Sequence, residues 1–459
     1  MSRRLYWFGV ALMVCCVAAP GRANAASAYI IEGTSLPANL DAQVTAAGGT
    51  LHRVHPEIGL AMAMSDDPNF APRLMAGGTL TSVTLDTLVQ FAPPTPSDLA
   101  SSAVLLPQSA AAGPTPTAAF FFACQWALKQ IDAPGAWAQG QLGSPNVKVA
   151  VLDSGVDPFH IDLNGKIDTA NSTTVLTPGS SPCGANDETT FFDFNFHGTF
   201  VSSMITGNSL GIAAVAPKSN VVAVKVINCK GRGSFGDLIA GLHYAGKLPD
   251  VDVINMSLGA LVPRQGTEAL VRAVGKALDF ARDRGKLLVA ASGNDGIDLS
   301  AHPELIEVPA QLHNAISIYA TSINETLASY SNHGTPPATW VGAPGGDLPN
   351  THAPLAGCPV PANIQSLIIG ACSSFVCGAT NRYVLGAGTS FASPLVAGVA
   401  ALIDSAHPND NPSRTKHILA QTATDLEPSD TFAKGVVNAS RAVKTHDDNG
   451  DDGGDGGDN

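Results

Sequence analysis

Three short strings, in one order along the chain, carry side chains able to do covalent chemistry: Val151-Leu152-Asp153-Ser154-Gly155, Phe196-His197-Gly198-Thr199 and Gly388-Thr389-Ser390-Phe391-Ala392-Ser393-Pro394. A carboxylate, an imidazole and a hydroxyl are the parts of an acid, base and nucleophile set: the base takes the serine proton, the acid orients the base, and the freed oxygen attacks a carbonyl carbon. Each string alone has an ordinary explanation. Asp-Ser-Gly is a common turn, a lone histidine among the twelve of the chain is more often structural, and Ser390 reads as a helix N-cap. The set gains from a fourth string, Ala290-Ala291-Ser292-Gly293-Asn294, whose Asn294 amide is of the type that donates to the oxyanion of a tetrahedral intermediate.

Such chemistry needs the four residues at one rim, and the surrounding pattern supplies one. Val147 to Leu152, Val221 to Ile227, Val251 to Asn255, Lys286 to Ala291 and Ala315 to Ala320 are short apolar runs, the pattern of strands buried on both faces. Between them, Asp237 to Ala245 and Thr267 to Arg284 have a helical period, the second stopped by Gly285. The alternation predicts an α/β fold, a mostly parallel sheet with helices on both faces. Asp153 follows its strand directly, at the carboxyl end where open parallel sheets bind ligands. His197 precedes a short helix, Phe200 to Thr206, and Ser390 opens a buried one, Phe391 to Ile403, whose N-terminal amides favour negative charge near Oγ. Residues 152–158 lack Gly-x-Gly-x-x-Gly, which argues against a dinucleotide-binding domain.

The rest of the chain divides by composition. Arg3 and Arg4, an apolar run from Leu5 to Ala19 and Ala23-Asn24-Ala25 read as a signal peptide over residues 1–25, shorter than the roughly 20 apolar residues of a spanning helix. Residues 28–91 alternate strand, helix, strand, strand, helix, strand, which predicts a small α+β, ferredoxin-like unit. Residues 92–121 are a Pro/Ala-rich linker open to processing, 122–445 the main domain, and 446–459 an acidic Gly/Asp tail too polar to fold. Six cysteines remain beyond the signal: Cys124, Cys183, Cys229, Cys358, Cys372 and Cys377. In an exported chain they predict up to three disulfides of unspecified pairing, and the absence of Cys-x-x-Cys speaks against zinc. The net charge of −13 argues against a nucleic-acid partner.

The order Asp, His, Asn, Ser within these strings resembles the subtilisin-like serine proteases over roughly residues 124 to 444. Trp126 to Trp137, Gly211 to Pro217, Asn255 to Gly259 and Gly342 to Gly345 are similar to further segments of that family. The resemblance implies Asp153, His197 and Ser390 as catalytic residues and Asn294 as oxyanion donor. It also implies that Ser257, Leu258 and Gly259 pair with substrate backbone and, with Ala291, Ser292 and Gly293, border the pocket for the residue before the cut. Residues 28–91 resemble the family's inhibitory propeptide, a chaperone of folding that is then cleaved off. Two positions depart from the family's histidines, Phe200 and Leu395, and predict altered packing beneath the site. The expectation is a secreted endopeptidase, extracellular or periplasmic in a two-membrane host, acting as a monomer on proteins or peptides and made as a self-processing zymogen. No cofactor is required for catalysis; structural calcium fits the family, without an assignable site. Two alternatives stand beside this reading: a narrow processing protease, and an inactive homologue that only binds peptide, which the four filled roles disfavour.

Overall fold

The computed structural model describes residues 26–92, 104–105, 115–335, 340–426 and 434–444. The signal segment, most of the linker and the acidic tail lie outside the described residues.

The first unit is built as its periodicity predicts: β1 (Ser27–Glu32), α1 (Leu40–Ala46), β2 (Thr50–His55), β3 (Leu60–Ser65), α2 (Phe70–Met75) and β4 (Ser82–Asp86). The strands form an antiparallel sheet in the order β2-β3-β1-β4. Because successive strand residues face opposite sides, the sheet has two apolar surfaces. Ile31, Ala61 and Ala63 pack on Leu40, Val44, Phe70 and Leu74 of the unit's own helices. Ile30, Leu60 and Met62 face the other way and join the core of the main domain. The chain then adds β5 (Val89–Gln90) and β6 (Val104–Leu105).

In the main domain, β7 (Lys148–Asp153), β8 (Thr173–Thr174) and α3 (His197–Ile205) are followed by β9 (Asn220–Lys225), β10 (Arg232–Gly233), α4 (Phe235–Lys247), β11 (Val251–Met256) and β12 (Ala260–Pro263). Then come α5 (Glu268–Asp283), β13 (Leu287–Ala291), β14 (Leu305–Val308), β15 (Ala315–Thr321), β16 (Val341–Pro344), β17 (Ile368–Ala371), β18 (Arg382–Gly386) and α6 (Thr389–Ala406). Among the described residues seven strands make one sheet, β16-β15-β13-β11-β7-β9-β8, with every pairing parallel. Helices α4 and α5 cover one face and α3 and α6 the other. The fold is therefore the predicted one, doubly covered and parallel at its centre. The stretch around Gly342 to Gly345, not among the apolar runs read as strands, contributes β16 at the sheet's edge, where Pro344 breaks no inner ladder.

Helix α4 starts at Ser234, whose side chain accepts from Asp237 N. Helix α5 is amphipathic and turns Leu270, Ala273, Val274, Ala277, Leu278 and Ala281 inward. Helix α6 is long and apolar enough to cross a membrane, but it is 83% buried inside the protein, so it is a core helix. The cysteines pair as Cys124–Cys358, Cys183–Cys229 and Cys372–Cys377. The stretch read as linker is bound at its described parts: Val104 and Leu105 pair with β18, and Phe121 is buried against Tyr383.

Candidate active site

The carboxyl end of β7 delivers Asp153 into the interior, where neither it nor His197 has exposed surface. Asp153 Oδ1 and Oδ2 lie 2.9 and 3.0 Å from His197 Nδ1. An acceptor on that side holds the proton on Nδ1 and leaves Nε2 as the basic nitrogen, a tautomer read from the partners. Nε2 is buried and has no hydrogen-bond partner. The bond to Ser390 Oγ that would complete the chain is thus not made in this structure, as is common before substrate tightens such a site.

His197 is the first residue of α3, and a network the sequence reading missed sets its position. Asp193 Oδ1 accepts from the amides of Asn195 and Phe196, both at 2.9 Å. Its Oδ2 accepts from Thr199 N at 2.9 Å and Thr199 Oγ1 at 2.6 Å. Full burial pushes the Asp193 carboxyl up, against these hydrogen bonds to its charged form. Ser154 Oγ donates to Asp193 Oδ1 and accepts from Gly198 N, each at 2.9 Å, which ties the turn after Asp153 to the turn before His197. Phe196 is held at φ 104°, strained for a residue with a side chain, directly before His197. Gly198 is required by contact: a Cβ there would stand 2.1 Å from Gly155 O. Lys225, buried at the end of β9, pairs with Asp187 and donates to Phe192 O at 2.7 Å, which fixes the loop from behind. The sequence did hold a signal for Asp193, a carboxylate just ahead of a helix start with a Thr in the first turn.

Ser390 enters from α6, whose first fifteen residues are buried. Pro394 stands four residues after it and has no N–H, so the Ser390 carbonyl loses its helical partner. Ser257 Oγ donates to that carbonyl at 2.8 Å. Asn255 Nδ2 donates in turn to Ser257 Oγ, and Ser393 Oγ to Asn255 Oδ1. The side chain of Ser257 is therefore buried and positions the turn that carries Ser390. Asn294 Oδ1 accepts from Thr389 N and Thr389 Oγ1, both at 2.9 Å, which orients the amide and keeps its Nδ2 hydrogens for another acceptor. Asp153, His197, Ser390 and Asn294 thus meet at one end of the sheet. Ala291, Ser292 and Leu258 are buried, and Ser292 Oγ donates inward to Asn332 O. Gly259 and Gly293 are half-exposed and form the surface of the two neighbouring walls.

Phe200 and Leu395, the two positions that depart from the family's pattern, are both buried. Phe200 is fully buried and stacks on Phe391 at 4.1 Å, and the Phe391 ring lies 5.7 Å from that of His197. Beside the site, β5 pairs with β10, and the amides of Phe91 and Ala92 both donate to Gly231 O. Among the described residues no group of three or more His, Cys, Asp or Glu side chains is arranged to hold a metal ion.

A sequence profile described as the Subtilase family matches residues 144–442. The chain is 33% identical to Subtilisin BL of Lederbergia lenta over 321 residues, 70% of this chain and 98% of that one. It is 34% identical to Subtilisin E of Bacillus subtilis (strain 168) over 321 residues, 70% of this chain and 71% of that one. Among solved structures, an epidermin leader peptide processing serine protease from Staphylococcus aureus superposes with a TM-score of 0.74. That match covers 92% of this chain and 98% of the other at 21% identity, a likeness of fold.

Proposed function

The chain belongs to the subtilase family and is a serine endopeptidase, and on that premise we propose that Asp153, His197 and Ser390 carry out its chemistry with Asn294 as oxyanion donor. The observation that carries the reading is the buried Asp153–His197 pair, with its Nε2 unpartnered at the same sheet end as Ser390 and Asn294. Ser390 Oγ attacks the scissile carbonyl carbon as its proton passes to His197 Nε2. The carbonyl oxygen, now negative, receives hydrogen bonds from Asn294 Nδ2 and Ser390 N–H. His197 returns the proton to the leaving amine, the C–N bond breaks, and water repeats the sequence on the acyl-enzyme. Asp153 orients the imidazole and stabilises its cation. Side chains and backbone amides carry every step, so no cofactor enters; any calcium would be structural.

Residues 28–91 act in this proposal as an inhibitory propeptide. Support comes from the strand that leaves this unit: residues 89–92 add to the edge at Gly231–Gly233 beside the site, the backbone pairing used to hold extended peptides. The mature enzyme is secreted after loss of residues 1–25, and three disulfides fit an oxidising compartment. Ser390→Ala, expressed alone, should lose peptide hydrolysis and accumulate as the uncleaved proform by mass measurement. Full processing by that variant would overturn self-cleavage, and retained hydrolysis would overturn the triad.

A further inference from the structure

One buried carboxyl group next to the site has no part in this scheme. Strand β14 pairs antiparallel with β12, and its Ile306 and Val308 point into the core beneath α4 and α5. Alternation turns Glu307 to the opposite side, where it is 1% exposed. The carboxyl group stands behind the two half-exposed glycines of the walls. A Cβ on Gly259 would lie 2.3 Å from Oε1, and one on Gly293 2.9 Å from Oε2. It occupies a space that exists because both residues lack a side chain. Glu307 Oε2 has no hydrogen-bond partner. Burial, and then the like charge of Asp295, push its pKa well above the carboxylate range. A buried acid with an idle oxygen is costly unless something arrives to use it.

The two walls are those that hold the nucleophile. Ser257, two residues before Gly259, holds the Ser390 carbonyl, and Asn294, the residue after Gly293, holds Thr389 N. The two glycines therefore stand beside the Ser390 turn with the Glu307 carboxyl group directly behind them. We propose that Glu307 is the floor of the pocket for the substrate residue on the acyl side of the cut and selects lysine or arginine there. An ammonium or guanidinium group supplies the missing donor for Oε2 and the opposite charge that favours the ionised acid. An apolar side chain would seal the acid in with neither. This inference rests on the protease reading and narrows it toward a processing enzyme that cuts after basic residues.

The protein's own sequence adds a consequence. No Arg or Lys occurs between Arg73 and Lys129, so the linker offers no residue of the preferred class. Self-cleavage there is an intramolecular event, in which effective concentration replaces the fit of the pocket. It should therefore be insensitive to Glu307, while turnover of added peptides is not.

The test is kcat/KM for peptides that differ only at the residue before the scissile bond, with a fluorophosphonate label on Ser390 as a separate measure of a working nucleophile. Arg and Lys peptides should exceed Leu and Phe peptides by about 10²-fold. Glu307→Gln should remove most of that preference by slowing the basic substrates far more than the Leu peptide. Glu307→Asp, which keeps the charge, should retain the preference at lower rate and serves if the glutamine variant does not fold. A labelled enzyme that cuts after Leu or Phe at least as well as after Arg, or a glutamine variant that keeps the basic preference, overturns the pocket assignment alone. A folded protein that neither labels nor cleaves any peptide overturns the protease reading and this inference with it.

Discussion

Two histidine contacts of nearly equal length do opposite jobs in this molecule. In the cleft, Asp153 and His197 meet at 2.9 Å inside one domain, and the turns that carry them are tied together by the hydrogen bonds of Asp193, Ser154 and Thr199. Across the seam to the N-terminal unit, His55 Nδ1 and His243 Nδ1 meet at 3.0 Å, and the pair belongs to two bodies. His243 Nε2 lies 3.1 Å from Glu57 Oε2, so His243 donates there and accepts from His55. Burial, followed by the charges of His243 and Arg53, lowers the His55 pKa to about 4. Lys247 also opposes its protonation, Glu57 favours it, and Arg284 opposes that of His243. The cleft is held by bonds that do not depend on the domain above it. The seam is held by groups whose protonation decides whether it stays closed.

The seam has a second set of titrating groups with the reverse sign. Asp86 accepts from Gly236 N at the start of α4, and burial raises its pKa to about 6. Asp237 is raised to about 7 by burial and then by Asp86, against the pull of Arg53. Both favour a docked state that keeps its protons, so their contribution is full below about 3.8 and declines as pH rises through 6 to 7. The His55 contribution is full above about 6.5 and is lost as pH falls toward 4. Glu32 is buried, yet hydrogen bonds to Arg272 and Lys276 lower it to about 2, so it contributes above about 4.5. Between about pH 4.5 and 6 the two carboxyls therefore gain as pH falls while His55 loses, and the seam is set by opposed titrations.

The contrast is broken or sharpened by variants that belong to one region only. The largest effect is expected from Asn294→Ala, which should lower kcat by about 10²–10³-fold with little change in KM, a magnitude taken from a subtilisin; an unchanged kcat removes Asn294 from the oxyanion. Glu32→Gln should act on the seam alone. It leaves Arg272 and Lys276 without their buried partner, weakens retention of the cleaved N-terminal unit by about 2 kcal/mol, and leaves kcat of the freed enzyme unaltered. Retention measured by size-exclusion after cleavage checks it, and equal retention places the seam's strength elsewhere. His55→Gln in the uncleaved Ser390→Ala chain should make stability at pH 4.5 higher, relative to pH 6.5, than in the parent by on the order of 2 kcal/mol, read from Tm at the two pH values. A slope equal to that of the parent assigns acid sensitivity to other groups. Ser257→Ala has the smallest effect on stability, about 1 kcal/mol, because it removes the one hydroxyl that replaces the helical partner of Ser390. It should nevertheless lower kcat, and unchanged kcat and Tm would show that another group satisfies the carbonyl.

Legibility from the sequence followed the range of the physics. The strand of Asp153 was visible because Val149 to Leu152 are apolar, β-branched in part and buried on both faces. The helix of Ser390 was visible as an unbroken Ala- and Val-rich run. Helix α3 was placed three residues late, because Asp193 caps it through a folded-back loop and no simple S/T-x-x-E pattern marks its start. The resemblance gives the Ser257 backbone a substrate contact but no task for its side chain, which is spent on Ser390, a role created by Pro394 more than a hundred positions away.

Element type and the alternation that makes a parallel sheet were determined by the chain itself, since each depends on neighbours two to four residues apart, and the four proposed reactive side chains were singled out by the joint occurrence of their strings. Tertiary structure alone decided which cysteines join, that His55 faces His243 across 188 residues, and that Glu307 stands behind Gly259 and Gly293. Periodicity fixes which face of an element is buried. Only packing in three dimensions fixes what that face meets, and the charge at the floor of a pocket is a property of the meeting.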